Sequence, residues 1–140
     1  MRSMNEIKGM REKFKNARLV YLTTFSEEDV RRSRPMTNYN EDPYGMMWFP
    51  SFKETRKVED IRRNPRVVIT FPSSEEGMFY EIEGRAEFEE DEVVSRKWKW
   101  WYLSWLPDVE YRHRFTTDAP ITNRVIINVH PSSARIVKQP

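Results

Sequence analysis

The chain has 140 residues, enough for one domain with a hydrophobic core, and its 38% hydrophobic and 14% aromatic content argues against disorder despite 33% charged residues. With 24 basic and 22 acidic residues the net charge is only +2, so the overall balance gives no case for nucleic acid and any basic site must be a local cluster. The absence of cysteine removes disulfide frameworks, thiolate zinc sites and thiol nucleophiles, and it fits a reducing cytoplasm.

The segment Met1 to Asn16 is charged throughout and does not read as a signal peptide. No apolar run approaches the roughly 20 residues needed to cross a bilayer, so a soluble protein is expected. Within this segment Ile7, Met10 and Phe14 recur at helical spacing and predict a short amphipathic helix over 5–16. Arg18 to Phe25 is rich in β-branched and aromatic residues and reads as a strand, followed by a turn at Ser26 to Asp29. A second strand is expected over Arg31 to Asn40, where Pro35 suits an edge or a bulge. The turn Asp42-Pro43-Tyr44-Gly45 precedes a third strand, Met46 to Phe52. A helix begins near Thr55 and stops before Asn64-Pro65, because proline disfavours the α conformation in the residue before it.

Arg66 to Phe71 is a fourth strand, and the alternating Met78 to Glu89 is the longest strand candidate. Asp91 to Trp105 reads as a helix with Val94, Trp98, Trp101 and Trp105 on one face, which suits packing against a barrel or a wall over a ligand. Residues 106–120 are irregular and form the candidate lid. Arg124 to Val129 is a strand, and Ala134 to Val137 is a further candidate. Most strands follow one another directly, so an antiparallel barrel with appended helices fits better than a doubly wound sheet.

Several chemistries are excluded. The four glycines, Gly9, Gly45, Gly77 and Gly84, are too scattered for a dinucleotide or P-loop motif. With only His113 and His130 and no paired spacing, no metal site is expected, and both histidines read as surface or hydrogen-bonded residues. The run Glu87, Glu89, Glu90, Asp91 and Glu92 reads as a solvated strand end and a helix start, where negative charge suits the helix dipole.

The informative segment is Ser51 to Ile61. Thr55 is a good N-cap, which places Arg56 and Lys57 in the first helical turn. Each cation at a helix N-terminus costs about 0.3–1 kcal/mol. A bound anion would resolve this, accepting hydrogen bonds from the first-turn N–H groups, the Thr55 hydroxyl and both cations, with Ser51 adding a second hydroxyl. The residues alone equally admit a second reading, in which both cations point into water and Glu59 or Asp60 compensates them. Arg32 and Arg34 project from one face of their strand, either as a clamp beside an anion or as a solvated face.

Together these pieces resemble the pyridoxamine 5'-phosphate oxidase-like family of FMN-binding split barrels, in its small general-stress-type form. Trp48-Phe49-Pro50-Ser51-Phe52-Lys53-Glu54-Thr55-Arg56-Lys57, closed by Asn64-Pro65 and the strand Arg66 to Phe71, is similar to the family's strand–helix–strand signature. Ser33-Arg34-Pro35-Met36 resembles its earlier flavin-binding strand, and Gly84 the glycine of its long central strand. The resemblance covers roughly residues 5–138. It implies one domain over 1–140 with a mainly β (α+β) fold, a six-stranded antiparallel split β-barrel with appended helices. It also implies a cytoplasmic homodimer with FMN at the subunit interface.

Carried over by position, Arg34, Arg56 and Lys57 would hold the phosphate, with Ser51 and Thr55 beside them. The backbone from Pro35 through Met36, Thr37 and Asn38 to Tyr39, with Pro50, would line the isoalloxazine. The implied activity is FMN-dependent oxidoreduction of a small molecule, with no nucleic acid or membrane partner. The alternatives are a flavin binder or stress sensor without turnover, and a relative that holds a deazaflavin or haem. Two departures stand out. Phe79 lies where larger oxidases have a polar flavin contact, and the chain is shorter than true pyridoxamine phosphate oxidases and lacks their C-terminal substrate-binding arginine and histidine, so that oxidase activity is not expected.

Overall fold

Six strands form the one sheet of the computed structural model, which describes residues 4–28, 30–96 and 124–138. They are β1 (Leu19–Phe25), β2 (Arg31–Thr37), β3 (Met47–Phe52), β4 (Arg66–Pro72), β5 (Met78–Phe88) and β6 (Arg124–Lys138). Every neighbouring pair is antiparallel, in the order β2-β1-β4-β5-β6-β3. The sheet curls into a half-barrel, in agreement with the split-barrel expectation.

Two helices, α1 (Met10–Asn16) and α2 (Arg56–Arg63), and helical residues 91–96 attach to it. The rest of the tryptophan-rich segment and the candidate lid at 106–120 lie outside the described residues, as does His113. No described helix is long and apolar enough to cross a membrane.

The core forms where one face of this sheet meets α1. Met10 and Phe14 of α1 are fully buried with Leu22, Met47, Phe49, Ile69, Phe71, Ile82 and Ile127. Phe14 meets Phe71 edge-on at 5.3 Å between ring centroids. Burying a side chain of this size contributes about 1.5–3 kcal/mol.

Three element boundaries differ from the sequence expectations by more than one residue. The first helix begins at Met10 rather than at residue 5, because Gly9 adopts φ 83, a left-handed conformation that ends helical continuation. The chain before it is held instead by tyrosines: Ile7 N–H donates to Tyr44 Oη at 2.8 Å, and Tyr80 Oη donates to Lys8 O at 3.1 Å. The second strand ends at Thr37, not Asn40, since Asn38 and Asn40 turn their side chains to the backbone.

The two separate strands expected after residue 123 are one, Arg124–Lys138. A bulge explains the continuity: Glu83 pairs with Ser133 but Gly84 with Pro131, so Ser132 is the extra residue. The bulge accommodates Pro131, which cannot donate to a regular ladder. Pro35 and Pro50 sit on β2 and β3, the two strands at the ends of the sheet order, where a missing N–H is tolerated.

Candidate functional site

Helix α2 forms as the sequence predicts, with Thr55 as extended N-cap and Asn64 as C-cap just before Pro65. One detail differs. The Thr55 hydroxyl donates back to Phe52 O at 2.9 Å and makes no capping bond, so it does not satisfy the first-turn N–H groups.

The reading in which Glu59 or Asp60 compensates the first-turn cations does not hold. Glu59 pairs with Arg63 at 3.2 Å. Asp60 is 3% exposed and turns into the protein, accepting the Thr24 hydroxyl at 2.7 Å and Arg32 Nη1 at 3.5 Å. Among the described residues neither Arg56 nor Lys57 has an anionic partner. The Lys57 ammonium is half-buried, and its pKa is lowered first by that burial and then by the like charge of Arg34.

Arg34 comes from β2, where Arg32, Arg34 and the buried Met36 share the inward face. Its pKa is also lowered, by burial first, with Asp60 opposing that shift and Arg32 adding to it. Its Nη1 donates to Thr24 Oγ1 at 2.8 Å, so β1, β2 and α2 are joined by the chain Arg34–Thr24–Asp60. The register explains the contact, because Thr24 lies opposite Arg32 and diagonal to Arg34. Arg56 is exposed and opens onto a cleft of about 330 Å³ of mixed charge, lined also by Arg32 and Arg63 and by Glu27, Glu28, Glu59 and Asp60.

Ser51 is the last inward residue of β3, after Met47 and Phe49. It is 4% exposed, and its hydroxyl has no hydrogen-bond partner among the described residues. A buried polar group left unsatisfied costs about 1–3 kcal/mol. A buried acceptor-seeking hydroxyl on the strand that feeds the N-terminus of α2, together with a half-buried Lys57 that has no anionic partner among the described residues and the neighbouring Arg34, has the donor chemistry that a phosphate requires. Ser51→Ala is expected to raise the stability of the free protein by about 1 kcal/mol, by removing that unsatisfied group, while lowering its affinity for a phosphate ligand. Thermal melts with and without ligand check both signs.

The remaining predicted residues frame the seam between the two end strands. Pro35 and Thr37 are exposed on β2, and Pro50 is half-buried on β3. Asn38 Nδ2 donates to Phe14 O at 2.9 Å and Ala17 O at 3.1 Å, which commits its side chain to fixing α1. Asn40 bridges to β3, accepting from Trp48 N–H at 2.9 Å and donating to Trp48 O at 3.0 Å, while Tyr39 stacks on Trp48 at 5.9 Å. The structure thus brings Arg34 and Lys57 together and places Arg56 on the flank.

Sequence reasoning missed Thr24. Its signal was faint: a polar residue at an inward strand position, which register alone ties to the arginines. His130 is half-exposed and bonds Glu87 at 2.7 Å, and Glu89 accepts from Asn128 at 2.9 Å, so these two carboxylates are engaged in side-chain contacts. Among the described residues no three metal-ligating side chains converge.

Comparison with known proteins decides the family. The family profile described as "Pyridoxamine 5'-phosphate oxidase like" matches residues 5–136. The chain belongs to this family. A Listeria innocua protein assigned as a pyridoxamine 5'-phosphate oxidase shares 26% identity at a TM-score of 0.68, over 90% of this chain and 93% of that one. General Stress Protein 26 from Bacillus anthracis shares 23% identity at a TM-score of 0.64, over 93% and 92%. An F420 reductase shares the fold at 19% identity and a TM-score of 0.64, over 93% and 98%. A search of curated proteins finds no match. As a pyridoxamine 5'-phosphate oxidase-like protein, the chain has a split-barrel scaffold of the flavin-type family.

Proposed function

We propose that this protein binds FMN through its phosphate at the Ser51–Lys57 junction and acts as an FMN-dependent oxidoreductase on a small molecule. The observation that carries the reading is the Lys57–Arg34 pair, two half-buried like charges, of which Lys57 has no anionic partner among the described residues; the unsatisfied Ser51 hydroxyl, on the strand that runs into α2, supports it. A phosphate there would accept from Arg34, Lys57 and Ser51, with Arg56 on the outer side. FMN, when bound, supplies the hydride and electron chemistry. The chain's own residues bind and orient it, and the Pro35 to Tyr39 backbone and Pro50 would flank the ring.

A homodimer with the cofactor at the subunit interface completes the proposal. The exposed apolar residues Leu19 and Tyr21 on the outer face of β1 support such a contact. The absorption spectrum of the purified protein, before and after adding FMN, tests the cofactor. Flavin bands are expected. A Soret band would replace the proposal with a haem protein, a deazaflavin spectrum with that cofactor, and a colourless protein unchanged by FMN would overturn it. Steady-state oxidation of a nicotinamide donor then separates an enzyme from a binder.

A further inference from the structure

Asp60 and Thr24 are buried polar residues that the phosphate reading leaves without a role. Both are nearly or fully inaccessible, at 3% and 0% exposure. The Thr24 hydroxyl donates to Asp60 Oδ2 at 2.7 Å. Its one hydrogen is therefore committed, and its oxygen can only accept from Arg34 Nη1, which it does at 2.8 Å. The polarity of the chain is thus fixed by a carboxylate that cannot donate in return. Among the described residues Arg34 makes no other hydrogen bond, so the rest of its planar donor fork stays available. Asp60 also holds Arg32 at 3.5 Å.

We propose that Thr24 and Asp60 are positioning residues for the phosphate site: the carboxylate locks the Thr24 hydroxyl, and the hydroxyl aims the guanidinium of Arg34 at the phosphate. This rests on the FMN reading and deepens it. A guanidinium recognises phosphate by direction as well as charge, and a freely rotating arginine would lose rotamer freedom on binding that this one has already given up. Asp60 serves a second end. It lies against the arginines from the side of α2, so the site keeps a resident counter-charge whether or not phosphate is present. Asp60 itself is not expected to touch the ligand, since two anions in contact repel.

The test is titration of FMN and of riboflavin, which lacks the phosphate, into the wild type, Thr24→Val and Thr24→Ser. Thr24→Val keeps the side-chain volume and removes the hydroxyl. It should weaken FMN binding about tenfold and leave riboflavin binding unchanged, so the preference for FMN falls about tenfold. Thr24→Ser keeps the hydroxyl and should restore the preference. If Thr24→Val fails to fold, Thr24→Ala is read in the same way. Equal weakening of both ligands, or no change in the preference, means that Thr24 only packs and overturns the inference. A wild type that binds both ligands equally overturns the phosphate reading itself and this inference with it.

Discussion

Replacing Arg56 and Lys57 together by alanine is expected to weaken FMN binding by about a hundredfold or more, at about 1.5–3 kcal/mol per charge-assisted contact, while leaving the fold intact. The second half of this expectation is the informative one. Among the described residues neither side chain has an anionic partner, so their removal breaks no ion pair. Both cations also stand at the wrong end of the helix dipole, where each costs about 0.3–1 kcal/mol. The free protein should therefore melt at the same temperature as the wild type or higher. Most losses of ligand affinity that come from a damaged fold are accompanied by a lower melting temperature. Here affinity and stability should move apart, and calorimetric titration with thermal melts on the same samples checks both.

The second large effect is on stability. Gly84→Ala would bring its new Cβ to 2.7 Å from His130 O and 3.0 Å from Val129 Cγ1. The closer contact is backbone, on the strand paired with β5, so no side-chain rotation relieves it. The clash falls at the bulge that carries β6 past Pro131. Overpacking of this kind costs about 1–3 kcal/mol. At about 2–4 °C per kcal/mol for a chain of this size, the melting temperature should fall by roughly 2–12 °C. An unchanged melting temperature would mean that the two strands do not approach as closely as the bulge requires.

Much of this fold was legible because its signals are local. The boundaries of α2 follow from Thr55 and Asn64-Pro65, those of β4 from the run between Asn64-Pro65 and the turn that starts at Pro72, and those of β5 from alternation after that turn. The continuity of β6 was hidden. His130-Pro131 reads as a terminator, and only the partner strand, through the Gly84 bulge, makes room for it. The helix start was hidden likewise, because apolar spacing places Ile7 on the helical face while Gly9 breaks the helix after it.

At the site, the sequence supplied the cations and the hydroxyl but not their pairings. Asp60 could have compensated Arg56 or Lys57 by proximity in sequence. It turns instead to Thr24, 36 residues away, and that choice is made by packing of α2 on β1. The Asn40 to Trp48 bridge, which joins the segment after β2 to β3 across the turn at Asp42 to Gly45, was equally unread, since it is made by side-chain orientation and leaves no mark in periodicity.

In the proposed function the Ser51–Lys57 junction anchors a flavin by its phosphate. Comparative titration of the cofactor-free protein with FMN and riboflavin tests it most directly, because the two ligands differ only in that group. FMN is expected to bind about a hundredfold or more tighter than riboflavin, the contribution of several charge-assisted hydrogen bonds. Equal affinities for the two ligands, or no binding of FMN, would contradict it.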